Sequence, residues 1–414
     1  MVIKKIKVTN FKSFGNLEIE LGNFNVLIGP NAAGKSNFVH IFEFLRDIVS
    51  SGLNNAVSMQ GGVEYLRNIS IGSSERLSIN VVSTQEFGLL ARRLRENLIE
   101  TKIYETIYEF ALKFNKRGSG FRIAEDKLIQ KCKFVRLDRP GKKIKEILGD
   151  GEIIIFRTNG KVKIDLNIPK RVPLKKEDIF PPFLPEEKLP NRTLLIETSY
   201  FLIWLLEGIF RDISIYDFDP KLPKKATPIT GKAELEEDGS NLSIILKNIT
   251  ENKEKRRKLF NLVKDLLPFV ENLDVEKFAD KSLLFKLQET YFKNQYLPAS
   301  LISDGTINIT ALIIALYFEK KPLVIIEEPE RNIHPYLISK VVDMMKDASQ
   351  KKQIIVTTHN PEIVKYAGLD NILLVSRDKN GFSKISRPID KEEIRTFLEH
   401  IGIEELYVQN LLRA

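Results

Sequence analysis

A short apolar strand runs directly into a glycine-rich turn at Asn25-Val-Leu-Ile-Gly29-Pro-Asn-Ala-Ala-Gly34-Lys35-Ser36. This stretch places the pattern G-x-x-x-x-G-K-[ST] directly after a short apolar strand, and residues 35–49 predict a helix behind it. In this context the glycines allow successive backbone N–H groups to surround a phosphate, Lys35 binds the β- and γ-phosphates, and the Ser36 hydroxyl binds Mg²⁺. A chance glycine-rich turn is the alternative, and the flanking strand and helix argue against it. The sequence therefore predicts a nucleoside triphosphate site.

A pair of carboxylates ends another apolar strand, residues 323–326, which is followed by Glu327 and Glu328. Two acids at this place suit phosphate hydrolysis, because one can organise Mg²⁺ through its water shell and the next can polarise the attacking water. We assign Glu327 to the metal and Glu328 to the water. A helix cap or a solvated strand end is the alternative for an acidic pair in isolation. The motifs that follow this pair favour the catalytic interpretation.

Two histidine motifs follow the carboxylates. Arg331-Asn-Ile-His334-Pro335 predicts a turn directly behind them, and Thr357-Thr-His359-Asn360-Pro361 stands at the end of the next apolar strand. A histidine that leaves a strand tip beside the γ-phosphate can hydrogen-bond that phosphate and respond to its loss. A structural histidine is the ordinary alternative, but the position of His359 on the adjacent strand favours the sensor. Asn360 and Pro361 also indicate the start of a helix.

The segment Leu301-Ile-Ser303-Asp304-Gly305-Thr306 precedes a helix predicted at 307–318. Serine and glycine at a helix N-terminus form an anion site, so this segment is a candidate for a second phosphate contact. A plain helix cap is the simpler alternative. The functional interpretation adds that the segment covers a γ-phosphate held by a different subunit.

The last third of the chain alternates strands and helices. Apolar strands at 323–326 and 353–357, with a helix at 336–348 between them, predict an α/β fold with a mostly parallel sheet covered on both faces. The first residues alternate apolar and polar side chains and predict two antiparallel strands joined at Gly15-Asn16. Between these two parts we expect a compact α+β lobe. Its predicted elements are strands at 76–86 and 104–115, a helical run at 89–98, short strands at 122–170 and an apolar helix at 193–210. Within 122–170 we predict turns at Gly149-Asp150-Gly151 and at Asn159-Gly160.

These motifs together carry a family resemblance. The chain is similar to the SMC/RecF-like branch of ABC ATPases, and more closely to the stand-alone ATPases that resemble the N-terminal half of OLD (overcoming-lysogenization-defect) nucleases. The likeness covers residues 1–69 and 241–375 and is carried by VTNFKSF, GPNAAGKS, DGSNL, LISDGT, LVIIEEPERNIHP and TTHNP. It implies an ABC-type P-loop head formed by 1–70 and 241–414, and an inserted lobe at 71–240.

The resemblance also implies a role for each motif. Residues 29–36 correspond to Walker A, residues 303–306 to the signature loop, the pair Glu327-Glu328 to Walker B, residues 331–334 to the D-loop and His359 to the switch histidine. ATP and Mg²⁺ are the implied cofactors, with Ser36 and Glu327 at the metal. The implied nucleotide contacts are Gly29, Asn31, Gly34, Lys35, Ser36, Asn37, Ser303, Asp304 and Gly305.

Some residues depart from the wider ABC pattern. Glu327 stands where most ABC ATPases have aspartate, and the signature reads SDGT rather than SGGQ, which points away from transporters. A Q-loop glutamine is not evident: Gln60 is a weak candidate, and the 216–220 stretch is the alternative. The residues after His359 are too few for the Toprim nuclease domain of OLD proteins, so we expect no nuclease in the same chain.

Composition and charge bear on the class of protein, its ligand and its compartment. The 414 residues are 43% hydrophobic and 29% charged, which excludes wholesale disorder, and the single cysteine, Cys132, cannot form a bridge within the chain. Residues 112–176 hold 19 lysines and arginines against 7 acids, whereas the whole chain has a formal charge of +9. This local excess of positive charge favours the binding of a polyanion such as DNA. A solvated lysine-rich face with no ligand is the alternative. Neither a signal peptide nor a membrane segment is predicted, so we expect a cytoplasmic protein.

The function predicted from these features is a cytoplasmic Mg²⁺-dependent ATPase whose homodimer encloses two ATP molecules between its heads and separates after hydrolysis. It would act on DNA, or drive a separate nuclease or effector, in DNA maintenance or anti-phage defence. A regulatory module that binds ATP without hydrolysing it is the principal alternative. An ABC transporter subunit and a P-loop kinase are less favoured, the kinase because no acceptor-binding element is recognisable.

Overall fold

The computed structural model describes residues 2–94, 97–115, 120–137, 144–172, 175, 188–198, 208, 210–278, 281–292, 295–390, 392, 394 and 401–409. The chain forms two compact units. The first comprises Met1–Gly22, His40–Asp212 and Ser376–Ile385, and the second comprises Asn23–Val39, Ile213–Val375 and Ser386–Ala414. The division predicted from the sequence, into a head (1–70 and 241–414) and an inserted lobe (71–240), remains a prediction.

An antiparallel sheet dominates the first unit, with the strand order β2-β1-β4-β5-β6-β7-β8. Its strands are β1 (Val2–Phe11), β2 (Phe14–Glu20), β4 (Leu77–Leu94), β5 (Asn97–Phe114), β6 (Phe121–Leu137), β7 (Ile144–Thr158) and β8 (Lys161–Asn167). The helices α1 (Lys35–Ser51), α2 (Leu53–Met59) and α3 (Val63–Leu66) precede β4.

Parallel strands form the centre of the second unit, in the order β16-β3-β15-β14-β9. They are β3 (Phe24–Ile28), β9 (Ile213–Tyr216), β14 (Leu323–Glu327), β15 (Gln353–Thr358) and β16 (Ile372–Arg377), and β17 (Ser383–Ser386) follows β16. A smaller antiparallel sheet contains β10 (Thr227–Pro228), β11 (Val270–Phe278), β12 (Ser282–Glu289) and β13 (Leu297–Pro298). The helices are α4 (Leu242–Thr250), α5 (Lys253–Leu266), α6 (Asp304–Tyr317), α7 (Pro335–Ser349), α8 (Pro361–Ala367) and α9 (Ile403–Val408).

The burial of the parallel strands explains this arrangement. Every residue of β3 and β15 is buried, as expected for strands covered on both faces. Residues 306–316 of α6 are buried on all sides of the helix, which is typical of a helix inside a core. In the parallel register Glu327 lies level with Thr357, and Thr358 lies level with Ile28. The carboxyl ends of β3, β14 and β15 therefore meet at one edge, and the predicted α/β class is confirmed.

The helix predicted at 89–98 is wrong. Residues 77–94 form β4 and pair with β5, for example Leu90 with Thr101 and Leu94 with Asn97. The segment Leu89-Leu-Ala-Arg-Arg-Leu94 is rich in good helix formers, but the backbone hydrogen bonds of a neighbouring strand override that local preference.

Two predicted turns are also misplaced. The β1–β2 turn is at Lys12-Ser13, where Lys12 adopts a φ of 45° and Phe11 pairs with Phe14, and not at Gly15-Asn16. The run Gly149-Asp150-Gly151 lies inside β7, where all three residues pair with β6. The register shift just before the run makes Leu148 a bulge, so there is no turn here. The strands at 122–170 are consequently long, whereas the turn at Asn159-Gly160 stands as predicted between β7 and β8.

The apolar helix predicted at 193–210 falls mostly outside the described residues, since 199–207 and 209 are not among them. Within the described part, Leu195–Glu197 forms a single 3₁₀ turn. None of the helices in the described ranges is both long and apolar enough to cross a membrane.

A buried carboxyl group connects this 3₁₀ turn to the sheet of the first unit. Asp126 on β6 is 2% exposed; its Oδ1 accepts a hydrogen bond from the Tyr108 hydroxyl at 2.9 Å, and its Oδ2 accepts one from the backbone N–H of Leu195 at 2.8 Å. Burial raises the pKa of Asp126 to about 7, although these hydrogen bonds and the charge of Arg157 oppose the shift. Asp126 therefore holds its proton in the folded state at mildly acid pH.

We expect the free energy of unfolding to fall as the pH rises from about 4 to about 7. In this window the folded chain keeps a proton on Asp126 that the unfolded chain, with an ordinary pKa of 3.8, has released. One proton gives a slope of at most about 1.4 kcal/mol per pH unit. Urea unfolding at several pH values measures the slope. Asp126→Asn imitates the protonated acid and should remove this component, so an unchanged slope in the variant would refute the assignment.

Candidate functional site

The glycine-rich motif connects β3 to α1, as predicted. Ala32 and Gly34 have φ values of 60° and 116°, so the chain turns tightly through the left-handed region. Turns of this kind align successive backbone N–H groups into a concave anion site. Because α1 begins at Lys35, the first N–H groups of the helix add to it. A Cβ on Gly29 would lie 2.3 Å from the carbonyl oxygen of Val375, so glycine is required there for packing as well.

The Lys35 ammonium group lies inside this loop. It donates hydrogen bonds to the carbonyl oxygens of Gly29 at 2.7 Å and Pro30 at 3.3 Å. Burial lowers the pKa of Lys35, and the nearby carboxylates Glu328 and Glu327 oppose the shift. A partly desolvated cation held among carbonyl oxygens is well prepared for phosphate oxygens, since charge-assisted hydrogen bonds are stronger where water is excluded.

Ser36 and Glu327 meet in front of the loop. The Ser36 hydroxyl, in the first turn of α1, lies 3.3 Å from the Glu327 carboxylate at the end of β14. Hydroxyl and carboxylate oxygens are the hard donors that Mg²⁺ prefers, and this ion commonly takes one or two protein ligands beside phosphate oxygens and water. The pair therefore fits the metal expected there. Within the described ranges, no group of three or more His, Cys, Asp or Glu side chains could hold a metal ion.

Glu328 is held from two sides. Its Oε1 lies 2.9 Å from His359 Nδ1, and its Oε2 accepts a hydrogen bond from Arg331 at 3.2 Å. Burial alone would raise the pKa of Glu328, but the hydrogen bonds and charges of Arg331 and His359 bring it below the ordinary value. Its backbone φ is 46°, a conformation that costs a non-glycine residue about 1–3 kcal/mol and often marks a functional site. Glu328 is thus an ionised carboxylate in a fixed orientation.

Arg331 joins this site to Asp217, which lies in the 216–220 stretch that the sequence analysis named only as an alternative for the Q-loop. Its guanidinium also forms an ion pair with Asp217 at 2.8 Å. Asp217 directly follows β9, and Tyr216 of β9 lies level with Ile326 of β14, so Asp217 emerges at the same edge of the sheet. The signal was present in the sequence, because an acid follows a short apolar strand there.

Glu330 is a second residue that sequence reasoning missed. It is only 8% exposed, and its Oε1 accepts a very short hydrogen bond from the Thr358 hydroxyl. Its other oxygen, Oε2, is buried and has no hydrogen-bond partner among the described residues. Burial raises the pKa of Glu330. Since Thr358 immediately precedes His359, Glu330 ties the turn after Glu328 to the strand end that carries the histidine.

The Ser303 segment forms the N-terminus of α6. The Ser303 hydroxyl accepts a hydrogen bond from the Thr306 N–H at 3.2 Å, so Ser303 is the N-cap of α6. Asp304 forms an ion pair with Lys224 at 2.5 Å. A Cβ on Gly305 would lie 2.5 Å from the carbonyl oxygen of Asn332, so glycine allows this helix end to pack directly against the turn at 331–334. The additional phosphate contact across subunits stays a prediction.

The remaining predicted residues have varied surroundings. Asn31 is exposed in the loop and Asn37 is half-buried in α1. His334 caps α7, its Nδ1 accepting a hydrogen bond from the Tyr336 N–H at 3.3 Å. Gln60 lies buried at the end of α2 in the first unit, and its Q-loop role stays a prediction. The structure thus brings together the side chains of five predicted residues at one sheet edge: Lys35, Ser36, Glu327, Glu328 and His359.

Comparison with known proteins shows the family and the fold of this chain. The model of the AAA_21 family, described as "AAA domain, putative AbiEii toxin, Type IV TA system", matches residues 24–365. The fold resembles a crystal structure of the SmcHead bound to the C-winged helix domain of ScpA, with a TM-score of 0.52 and 15% identity, covering 93% of this chain and 98% of that one. An Smc head from Pyrococcus furiosus, solved with an extended coiled coil and the C-terminal domain of ScpA, gives a TM-score of 0.49 at 15% identity, covering 96% and 99%.

A curated relative is more distant. An uncharacterized protein of Methanocaldococcus jannaschii is 23% identical over 150 residues, which are 33% of this chain and 39% of that protein. The match thus spans well under half of the relative. The family model, by contrast, covers most of the chain, so the chain belongs to the AAA_21 family of AAA domains, and its fold is similar to that of an Smc head.

Proposed function

We propose that the chain is a Mg²⁺-dependent ATPase whose reaction takes place at the carboxyl edge of the parallel sheet. The observation that carries the proposal is the contact of Glu328 with both His359 and Arg331, at 2.9 Å and 3.2 Å. A carboxylate fixed in this way accepts a hydrogen bond from a water molecule and orients it toward the γ-phosphate. Positioning and charge stabilisation are what phosphoryl transfer chiefly requires from a protein.

Each neighbouring side chain has a task in this proposal. Lys35 binds phosphate oxygens in place of the loop carbonyls that it now contacts. Ser36 and Glu327 hold Mg²⁺, which when bound supplies neutralisation of the phosphate charge. His359 engages Glu328 through Nδ1, which leaves Nε2 to hydrogen-bond the γ-phosphate. Loss of that phosphate would remove this hydrogen bond and alter the orientation of Glu328.

We further propose that two chains enclose two ATP molecules, with the Ser303 segment of one chain covering the nucleotide held by the other. Two large apolar side chains beside the relevant motifs support this. Leu301, two residues before Ser303, is 69% exposed, and Tyr336, two residues after His334, is 73% exposed. Exposed apolar side chains next to polar contact residues are typical of a protein interface. The SMC-like fold is a second support.

We propose a partner for the ATPase from the distribution of charged residues along the chain. The excess of cations at 112–176 favours DNA, or a nuclease or other effector that acts on DNA, in the cytoplasm. The family description names a toxin of a type IV system, which is compatible with a role in anti-phage defence or DNA maintenance. The closer likeness to OLD ATPases remains a prediction.

A phosphate-release assay with and without DNA tests the proposal. We expect steady Mg²⁺-dependent release that rises when duplex DNA is added. Release close to zero under both conditions, with ATP still bound, would favour the alternative of a regulatory module that uses ATP only as a ligand. Co-purification with a membrane protein would instead revive the transporter alternative.

A further inference from the structure

A cavity in the first unit lies outside the nucleotide site. Its volume is about 570 Å³, within the range of small-ligand pockets. One wall is the beginning of β6, a second is the β7–β8 turn, and the third is the segment at 191–192. Three of the lining residues are arginines: Arg122 on β6, Arg157 at the end of β7, and Arg192.

The acids in the lining offset little of the charge of these arginines. Asp126 interacts electrostatically with Arg157, but burial raises the pKa of Asp126 to about 7. Glu125 forms its ion pair with Arg76, at 2.8 Å. Asp126 is buried and accepts its hydrogen bonds from Tyr108 and from the backbone of Leu195. Within the described residues, no salt bridge joins either acid to Arg122, Arg157 or Arg192. The cavity is therefore cationic.

The walls are held in place without a ligand. Arg157 donates hydrogen bonds to the carbonyl oxygens of Thr193 and Pro190, both at 2.8 Å. The backbone N–H of Leu189 donates to the carbonyl oxygen of Gly160 at 2.8 Å, which fixes the β7–β8 turn against the same segment. Arg192 lies over the ring of Phe121, with its guanidinium carbon 4.9 Å from the ring centre. A site fixed in this way loses little entropy when it binds.

Arg122 is the arginine best placed to bind a ligand. It is exposed and makes no ion pair with a described residue. Its partner across the strands is Lys113 on β5, which is also exposed. Two like charges directly opposite each other on a sheet repel, and an anion bound beside them would relieve that repulsion.

We propose that this cavity binds a phosphate monoester carried by a nucleotide, either a free nucleotide or the terminal nucleotide of a nucleic-acid strand. Guanidinium groups match phosphate oxygens in shape and charge, and a monoester carries more negative charge than the diesters within a strand. The bounded volume suits a terminal group better than a continuous duplex. The inference is independent of ATP hydrolysis, and it adds a defined site to the nucleic-acid role proposed above.

The test is a set of fluorescence titrations without ATP or Mg²⁺, so that failure of the ATPase proposal would not alter the result. The probes are a labelled 5′-phosphorylated single-stranded oligonucleotide, the same oligonucleotide with a 5′-hydroxyl, and AMP that carries a fluorescent label on its ribose. We expect the phosphorylated strand to bind at least about tenfold more tightly than the hydroxyl strand, or AMP to bind alone if the free nucleotide is the ligand.

Two double variants, each of which removes two positive charges, test whether the cavity is the binding site. Arg122→Ala/Arg192→Ala removes two lining residues, whereas Lys127→Ala/Lys131→Ala removes two cations of β6 outside the lining. We expect the first to weaken phosphate-dependent binding about tenfold or more and the second to weaken it far less. Equal losses in both variants, equal affinity for the two oligonucleotides, AMP binding that survives the arginine substitutions, or no binding of any probe would each overturn the proposal. Unfolding curves confirm that both variants fold.

Discussion

Glu328→Gln is expected to slow ATP hydrolysis by about 10²- to 10⁴-fold and to leave ATP bound. Glutamine keeps the size of the side chain and can still contact His359 and Arg331, but it lacks the negative charge that polarises the attacking water. ATP binding depends on Lys35 and the loop, so it should survive. Because the γ-phosphate then persists between two chains, the variant should accumulate as a dimer of twice the 47.5 kDa monomer mass in ATP and not in ADP.

Single-turnover hydrolysis and light scattering measure the two effects separately. Glu271→Gln is a matched control, since Glu271 is an exposed carboxylate that pairs with Lys264 at 3.3 Å. The control should hydrolyse ATP like the unmodified chain. If Glu328→Gln kept full turnover, Glu328 would not be the residue that orients the water.

Lys35→Ala is expected to weaken ATP binding by more than about a hundredfold. Each charge-assisted hydrogen bond to a phosphate contributes about 1.5–3 kcal/mol, and Lys35 is placed to make one to each of two phosphates. Calorimetric titration with ATP and Mg²⁺ measures the affinity.

Lys340→Ala is the matched control for this substitution, because Lys340 is a cation on α7 that donates to the carbonyl oxygen of Asp265. Thermal unfolding establishes that the loss of the Lys35 contacts to Gly29 and Pro30 leaves the fold intact. Equal ATP affinity in the unmodified chain and in Lys35→Ala would be incompatible with the proposed nucleotide site.

The sequence predicted the parallel core and the meeting of the main site residues because both follow from local rules. Fully apolar strands separated by helices are typical of parallel sheets, and the carboxyl ends of parallel strands meet at one edge. Residues that directly follow β3, β14 and β15 were therefore expected to lie together, and Lys35, Glu328 and His359 do share that edge.

Other features depend on packing that no short pattern encodes. Glu330 reads as one more acid in a polar turn, and only the fold reveals that it is buried against Thr358. The strand at 89–94 is composed of good helix formers, and its pairing with β5 decided its structure. Gly305 reads as a signature glycine, yet its immediate physical reason is the close approach of the Asn332 carbonyl group.

The left-handed backbone and the charged side-chain contacts of Glu328 together fix the orientation of its carboxylate. A left-handed backbone at a residue that is not glycine persists only where the surroundings hold it. The hydrogen bond from the Glu328 N–H to the carbonyl oxygen of Thr357, at 2.8 Å, is one such constraint, and the side-chain contacts to Arg331 and His359 are others. The carboxylate is thereby pre-organised, which is how a positioned base contributes to catalysis without moving.

A mixing experiment tests most directly the claim that each ATP is bound by two chains. Lys35→Ala and Ser303→Arg are purified separately and each is assayed for phosphate release, alone and after mixing. In a mixed dimer the Lys35→Ala chain supplies an intact Ser303 segment to the loop of its partner, which restores one complete site. We expect both variants to be inactive alone and the mixture to regain a substantial fraction of the activity, as shared sites require. A mixture that hydrolyses ATP no faster than the sum of the separate variants would contradict that claim.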